Sequence, residues 1–297
     1  MRSKADPAQA RELLIRLVGT PSVTHKEDEA CAVLEQALPL FGWRDAHIDA
    51  IGNVVAHRGN GTRELVLTGH IDTVPGGPEA RVEGDTLWGR GSVDAKGPLC
   101  AFVVAGGRAV IPDDWKLTLI AAVGEEGDSR GARHIVPSHS PSGCIIGEPS
   151  GTDGVTIGYR GFLRLDLSAE DGGAHRSGDA GPVTGCLMAA ADILNEVERR
   201  DDPSKPVIER PSGAVIAMRG KEEGTRTGSV NLDIRLPIGA VPEEWAADFI
   251  KIAQKRGVRA ELASSIRAHL VEKNDPLARS FRVAVRAAGL TPRLLAK

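Results

Sequence analysis

An α/β fold carrying an inserted second domain is predicted by three features of the sequence. Apolar runs of strand length alternate with helical patterns in the first half. Ionisable residues stand just past the end of each run. A βαββαβ pattern takes over in the second half. At 297 residues the chain is long enough for two domains at roughly 100–200 residues each.

The first helix is announced by Asp6-Pro7, with Leu13, Leu14, Leu17 and Val18 at helical spacing behind it. An aspartate side chain can accept from the free N–H groups of a first turn, and proline suits that turn because its missing N–H is not needed there. A second amphipathic stretch, Glu27 to Leu38, ends near Pro39 and Gly42. Leu65–Leu67, Leu117–Val123 and Cys144–Ile146 are compact, β-rich and followed by glycine or acidic residues. With helices between them they predict buried parallel strands.

From about Tyr159 to Arg267 the pattern changes. Gly161–Ala169 alternates as a strand and Gly181–Arg199 reads as a helix. Ala214–Met218 and Val230–Leu236 are strands around a glycine-containing turn. Pro242–Lys255 is a helix with Trp245, Phe249 and Ile252 on one face, and Val258–Leu262 is a strand. This βαββαβ order is that of a ferredoxin-like sandwich. It predicts an inserted domain at 158–268, splitting a catalytic domain into 1–157 and 269–297, with a last helix from Pro276 to Ala288.

Composition removes several classes. Apolar residues make up 41% and charged residues 26%, an ordinary globular balance. A net charge of −3 gives no electrostatic case for nucleic acid or an anionic membrane. The longest apolar run, near Leu99 to Ala105, falls far short of the roughly 20 residues that a membrane span needs. Asp6, Glu12 and Arg16 interrupt any signal-peptide core. Cys31, Cys100, Cys144 and Cys186 are scattered with no Cys-x-x-Cys pair, which predicts reduced thiols in a cytoplasmic protein. No G-x-G-x-x-G follows a strand near Gly89 and Gly91, and no G-x-S-x-G occurs, so dinucleotide and serine-hydrolase chemistry find no support.

The residues just past each strand run point instead to a metal. The first run leads into Gly69-His70-Ile71-Asp72, the second into Gly124-Glu125-Glu126 and the third into Gly147-Glu148-Pro149. Active residues of open α/β sheets collect at the carboxyl ends of the strands. One histidine and four carboxylates are thus predicted on a common rim. Zinc takes histidine nitrogen and carboxylate oxygen, keeping a position open for water in catalytic sites. His70 and Asp72 are two apart, so on extended backbone Asp72 can accept from the imidazole while its other nitrogen faces the metal. Asp94 lies in the glycine-rich loop Gly89–Gly97 entering a helix, where its carboxylate could bridge two metals roughly 3.5–4 Å apart. Adjacent Glu125 and Glu126 cannot point the same way on extended backbone. Glu125 is read as the general base, and Glu126 as a metal ligand.

The segments Gly-His-Ile-Asp-Thr-Val-Pro, Gly-Arg-Gly-Ser-Val-Asp-Ala-Lys-Gly, Gly-Glu-Glu and Ile-Gly-Glu-Pro-Ser, in that order, resemble the co-catalytic zinc metallopeptidases. That family includes acetylornithine deacetylase, succinyl-diaminopimelate desuccinylase and aminoacylase, and the resemblance covers essentially the whole chain. It implies a mixed sheet flanked by helices, with the inserted domain as lid and dimerisation domain. It implies two Zn2+ per subunit, with Co2+ able to take their place: His70, Asp94 and Glu148 on one, Asp94 and Glu126 on the other. Glu125 would be the base and Asp72 would orient His70. A strained, often cis, peptide after Asp94 is implied as well. Ser129–Arg133 and Gly147–Gly151 look most like the branch that releases lysine or ornithine from an amino-group carrier protein, in lysine and arginine biosynthesis. A metallo-dipeptidase or carboxypeptidase of the same family is the alternative.

Gly173-Ala174-His175-Arg176-Ser177 resembles the segment whose histidine reaches a partner subunit's active site, which implies a homodimer with His175 polarising the scissile carbonyl. Arg160 and Arg235 are candidates for gripping a substrate carboxylate, since arginine offers paired donors. One element of the family pattern has no counterpart. A final histidine should complete the second zinc site near the C-terminus, whereas His269 lies too early and in the wrong context. The expectation is a natural chain continuing beyond Lys297; the alternative is a one-metal or non-catalytic form that only binds.

Overall fold

A computed structural model describes residues 6–173 and 180–297. Helix α1 (Pro7–Gly19) starts as anticipated. Asp6 accepts from the Ala8 N–H at 3.2 Å, and its own N–H donates to Gln9 Oε1 at 3.1 Å. Helix α2 (Asp28–Ala37) runs into a tight turn closed by left-handed Gly42. Strands β1 (Arg44–Ile48) and β2 (Val54–Arg58) form an antiparallel pair that the sequence patterns did not reveal. Polar Arg44, Asp45 and His47 make β1 look like loop, and as the sheet's outermost strand it stays largely exposed.

Next come β3 (Arg63–His70), the small hairpin β4 (Arg81–Glu83) and β5 (Thr86–Trp88), and helix α3 (Lys96–Arg108). Strand β6 (Trp115–Ala122), helix α4 (Arg130–Ile135) and strand β7 (Gly143–Ile146) complete the first half. The sheet order is β1-β2-β6-β3-β7, with β3 parallel to both β6 and β7 and β2 antiparallel to β6. The sheet is therefore mixed, and its three anticipated strands are parallel. Register places His70 beside Ala122, and Thr68 beside Ile146. All three carboxyl ends thus reach one rim.

Alternation along the strands sorts the core. Val54, Ala56, Leu67 and Leu119 pack with Leu17 of α1, Leu34 of α2 and Leu99 and Val103 of α3 on one face. Val55, Val66 and Ile120 meet Ile135 of α4 on the other. Each fully buried aliphatic side chain contributes about 1.5–3 kcal/mol relative to exposure.

The chain divides into two compact units, Met1–Pro149 and Ser150–Lys297. The second contains β8 (Gly154–Tyr159), β9 (Gly161–Asp171), α5 (Gly181–Arg199), β10 (Ser212–Lys221), β11 (Arg226–Leu236), α6 (Pro242–Gln254) and β12 (Arg259–Ile266). It ends with β13 (His269–Leu270), α7 (Pro276–Ala287) and β14 (Arg293–Ala296). Four strands form an antiparallel sheet in the order β10-β11-β9-β12, the ferredoxin-like arrangement of a βαββαβ chain. Its core gathers Leu165, Val230 and Leu232 from the sheet with Ile193 of α5 and Phe249 of α6.

Residues 150–157 and 269–297 fall in this second unit, whereas the sequence-based boundaries put them with the first. The reason lies in the pairing. Strands β13 and β14 flank β8, which leads at once into β9. Helix α7, capped by Asp275, packs Ala278 and Phe281 on Val155 and Ile157 of β8. Among the described residues no helix is long and apolar enough to cross a membrane.

Candidate metal centre

Three strand ends and one helix-entry loop build the site. The last residue of β3 is His70, whose ring is almost wholly buried. Its Nε2 lies 3.0 Å from Asp94 Oδ1, 3.8 Å from Glu148 Oε1 and 3.9 Å from Glu125 Oε2. Ligand atoms of His70, Asp94 and Glu148 all fall within 4.8 Å of one another. Glu126 is not part of that set. The peptide bond from Asp94 to Ala95 is cis, matching the form implied by the resemblance.

The expected Asp72 contact is different in kind. His70 Nδ1 sits 2.9 Å from the backbone carbonyl of Asp72, while the Asp72 carboxylate is 3.6 Å away. That carboxylate, fully buried, is engaged elsewhere. Its oxygens accept from the Glu125 N–H at 3.0 Å, the Glu126 N–H at 3.1 Å and the Thr24 hydroxyl at 2.8 Å. Asp72 therefore orients the imidazole through its main chain and the Glu125–Glu126 turn through its side chain. Gly124, at φ 75°, makes that turn possible, since the left-handed region is open to glycine without penalty.

Electrostatics fit a cation. Burial works against a charged imidazole, yet Asp72, Asp94, Glu125 and Glu148 hold the pKa of His70 up at about 10. Burial, opposed by His70 but reinforced by Glu125, Asp94 and Glu126, lifts Glu148 to about 7. Glu125 is raised mainly by burial, and Glu126 by burial and by Asp94. Carboxylates crowded together repel each other unless positive charge, an imidazolium or a bound cation, sits among them. One nitrogen and several carboxylate oxygens also form a donor set that zinc accepts. The Asp94 side chain is 58% exposed and that of Glu125 48%, so the cluster keeps a wet side for water and substrate.

Several supporting residues were given no role by the sequence patterns. Lys96 is buried two positions after Asp94, and its Nζ donates to the carbonyls of Leu17 and Thr20 at 2.8 Å, fastening the Asp94 loop to the end of α1. Ser22 and Thr24 stitch the segment after α1 to residues 71–73. Arg130 Nη2 lies 3.0 and 2.9 Å from the two oxygens of buried Glu27. A lysine in a glycine-rich loop or a serine in a polar stretch reads as solvated surface, and partners some 50 to 100 residues away do not show in a linear pattern.

Of the other candidates, Arg160 donates to the Arg210 carbonyl and to Ser212, and Arg235 pairs with Asp233 at 3.2 Å. Both belong to the second unit. His175 lies outside the described residues.

Comparison with known proteins agrees with this geometry. The model of peptidase family M20/M25/M40 matches residues 66–297. A Deinococcus radiodurans protein named LysW-lysine hydrolase is 33% identical over 304 residues, covering 98% of this chain and 83% of that protein. A Thermococcus kodakarensis protein, provisionally named LysW-lysine/LysW-ornithine hydrolase, is 34% identical over 290 residues, 96% of this chain and 76% of its own. Among solved structures, the dipeptidase Dug1p of Saccharomyces cerevisiae superposes with a TM-score of 0.77 at 12% identity, covering 98% of this chain and 84% of that one. The M20 metallo-carboxypeptidase Sso-CP2 of Sulfolobus solfataricus gives 0.75 at 17%, covering 96% and 85%. With a histidine and its carboxylates gathered on one sheet rim, and a family match over most of its length, this chain belongs to peptidase family M20/M25/M40 and is a metal-dependent amide hydrolase.

Proposed function

We propose that the chain hydrolyses the amide joining lysine or ornithine to an amino-group carrier protein, a step of lysine and arginine biosynthesis. One observation carries this reading: the His70, Asp94, Glu148 and Glu125 cluster occurs in a chain 33% identical to a LysW-lysine hydrolase over nearly its whole length. His70, Asp94 and Glu148 would hold one zinc, and Asp94 and Glu126 would contribute to a second; cobalt could replace either. Bound there, the metal would polarise the amide carbonyl and acidify the attacking water.

The remaining work falls to side chains. Glu125, its pKa raised by burial, takes the proton from water and passes it to the leaving amine. Asp72 keeps the Glu125 turn and the His70 ring in place. Arg160 and Arg235 are proposed to hold the substrate carboxylate, with the inserted domain as lid. A homodimer through that domain is supported by strand β10, an edge strand with Val215, Ile216 and Met218 exposed. His175 would act across that dimer.

The test is a comparison of carrier-linked lysine, N-acetylornithine and dipeptides as substrates of the zinc-loaded protein. Release of lysine from the carrier is the expected result. Turnover of the acetyl substrate or of dipeptides with no release from the carrier would overturn the assignment.

A further inference from the structure

We propose that Asn53 is a positioning residue that clips shut the neck of the loop bearing Glu125, fixing where that carboxylate stands. The inference rests on the reading of Glu125 as general base given above. Asn53 is fully buried at the turn between β1 and β2. Its Oδ1 accepts from the Val123 N–H at 3.0 Å, and its Nδ2 donates to the Gly131 carbonyl at 3.2 Å. Val123 and Gly131 are the two residues that flank the loop 124–130. They also meet each other, the Gly131 N–H donating to the Val123 carbonyl at 3.0 Å. One side-chain amide therefore spans both sides of the neck.

Two further observations show that the fit is specific. A Cβ at position 131 would come within 2.2 Å of Asn53 Oδ1 and 2.6 Å of Val123 N and O, so the loop approaches the amide as closely as a glycine allows. The amide is itself held from behind, because Nδ2 also donates to Asp49 Oδ2 at 2.8 Å. Asp49 is anchored in turn by the N–H groups of Ile51, Gly52 and Asn53, each 2.9 Å from Oδ1. The position demands an acceptor and two donors on a short stem, which among side chains a carboxamide supplies. Aspartate would face the Asp49 carboxylate and the Gly131 carbonyl; leucine would leave the Val123 N–H without a partner. Asp72 grips the middle of the loop through the N–H groups of Glu125 and Glu126. Asn53 closes its ends. Loop and base are thus fixed from two independent sides, which matters because a displacement of about 1 Å at a reacting group can lower a rate on the order of 100-fold.

The experiment is a double-mutant cycle in the full chain, with Asn53→Ala, Glu125→Ala and the pair, assayed for turnover of carrier-linked lysine, bound zinc and deuterium exchange. Asn53→Ala is expected to lower kcat about 10- to 100-fold. KM and zinc per folded chain should stay within about two-fold, and exchange should speed up in the segment 123–131. In the Glu125→Ala background the same change should alter the residual rate by less than about two-fold, because the group being positioned is gone. Equal losses in both backgrounds, or unchanged kcat and exchange, would overturn the proposal. If Glu125→Ala by itself keeps normal turnover, the base assignment fails, and exchange across 123–131 still decides whether Asn53 pins the loop. Should Asn53→Ala not fold, Asp49→Ala removes one of the bonds to Nδ2 and is expected to show the same pattern at smaller size. No change in either kcat or exchange with that variant counts against the idea.

Discussion

His70 and Asp72 show how two residues divide the work of a site. The imidazole is aimed by a main-chain carbonyl, and the carboxylate two residues later is spent on the turn that carries Glu125 and Glu126. On the proposed assignment, replacing Glu125 by Gln should leave the metal bound, because His70, Asp94 and Glu148 remain, and lower kcat by about 10²–10⁴-fold, the usual worth of a general base. Zinc analysis beside steady-state kinetics checks both halves. Asp72→Ala should behave differently. With the N–H groups of Glu125 and Glu126 and the Thr24 hydroxyl all losing their acceptor, stability should fall by about 1–3 kcal/mol per group left buried and unpaired. Thermal denaturation of this variant against Glu125→Gln separates a positioning role from a chemical one. Residue types were legible at this scale, since His70, Asp72, Glu125, Glu126 and Glu148 each follow an apolar strand run and Asp94 stands in a glycine-rich loop entering a helix. The partners of Asp72 were not, because alternation along a strand says which side a carboxylate faces and nothing about which loop will meet it there.

At the scale of elements, β3 carries His70 at one end and a buried carboxylate near the other. Glu64 accepts from Thr118 at 2.6 Å, Lys116 at 2.9 Å and His139 at 3.1 Å, tying β3 to β6 and to the loop before β7. Burial would raise its pKa, but these bonds outweigh burial and hold it at about 2, below the ordinary 4.5. A folded-state pKa below the unfolded one gives stability that is fully present above about 4.5 and is lost as pH falls toward about 2. Equilibrium denaturation between those limits should therefore lose part of its pH dependence in Glu64→Gln. Thr118→Val, which strips one bond from this carboxylate, should cost about 1–3 kcal/mol at neutral pH. The elements themselves were mostly legible. Helices α1, α5, α6 and α7 and the three parallel strands announced themselves through periodicity and caps. The β1–β2 pair did not, because an exposed edge strand needs no apolar face.

For the whole molecule, the cores of the two units are built from separate residues, Leu99 and Leu119 in one, Leu165 and Phe249 in the other. Leu165→Ala should destabilise the second unit by about 2–5 kcal/mol, the range for buried leucines, and leave affinity for the proposed zinc unchanged, since His70, Asp94 and Glu148 all lie before residue 150. Calorimetry paired with zinc titration would reveal any coupling. The proposed dimer can be tested through the exposed β10 edge: Ile216→Lys should shift the protein toward monomer in light scattering, because a buried charge at a strand edge opposes pairing.

Periodicity, caps and the residues after each strand announced the α/β class and the βαββαβ order, and they named His70, Glu125 and Glu148 as candidates, with Asp94 added from its glycine-rich loop; the fold brings these four side chains together. These are properties of local spacing, written along the chain by the 3.6- and two-residue repeats of helix and strand. Tertiary structure decided what spacing cannot carry: which oxygen faces the imidazole, what Asp72 holds, how Lys96, Glu27 and Asn53 brace the loops, and where residues 150–157 and 269–297 pair. Each depends on groups brought within 3 Å or so from distant positions, and the physical reason is the same throughout. Hydrogen-bond partners are chosen by packing in three dimensions, after the local elements have formed.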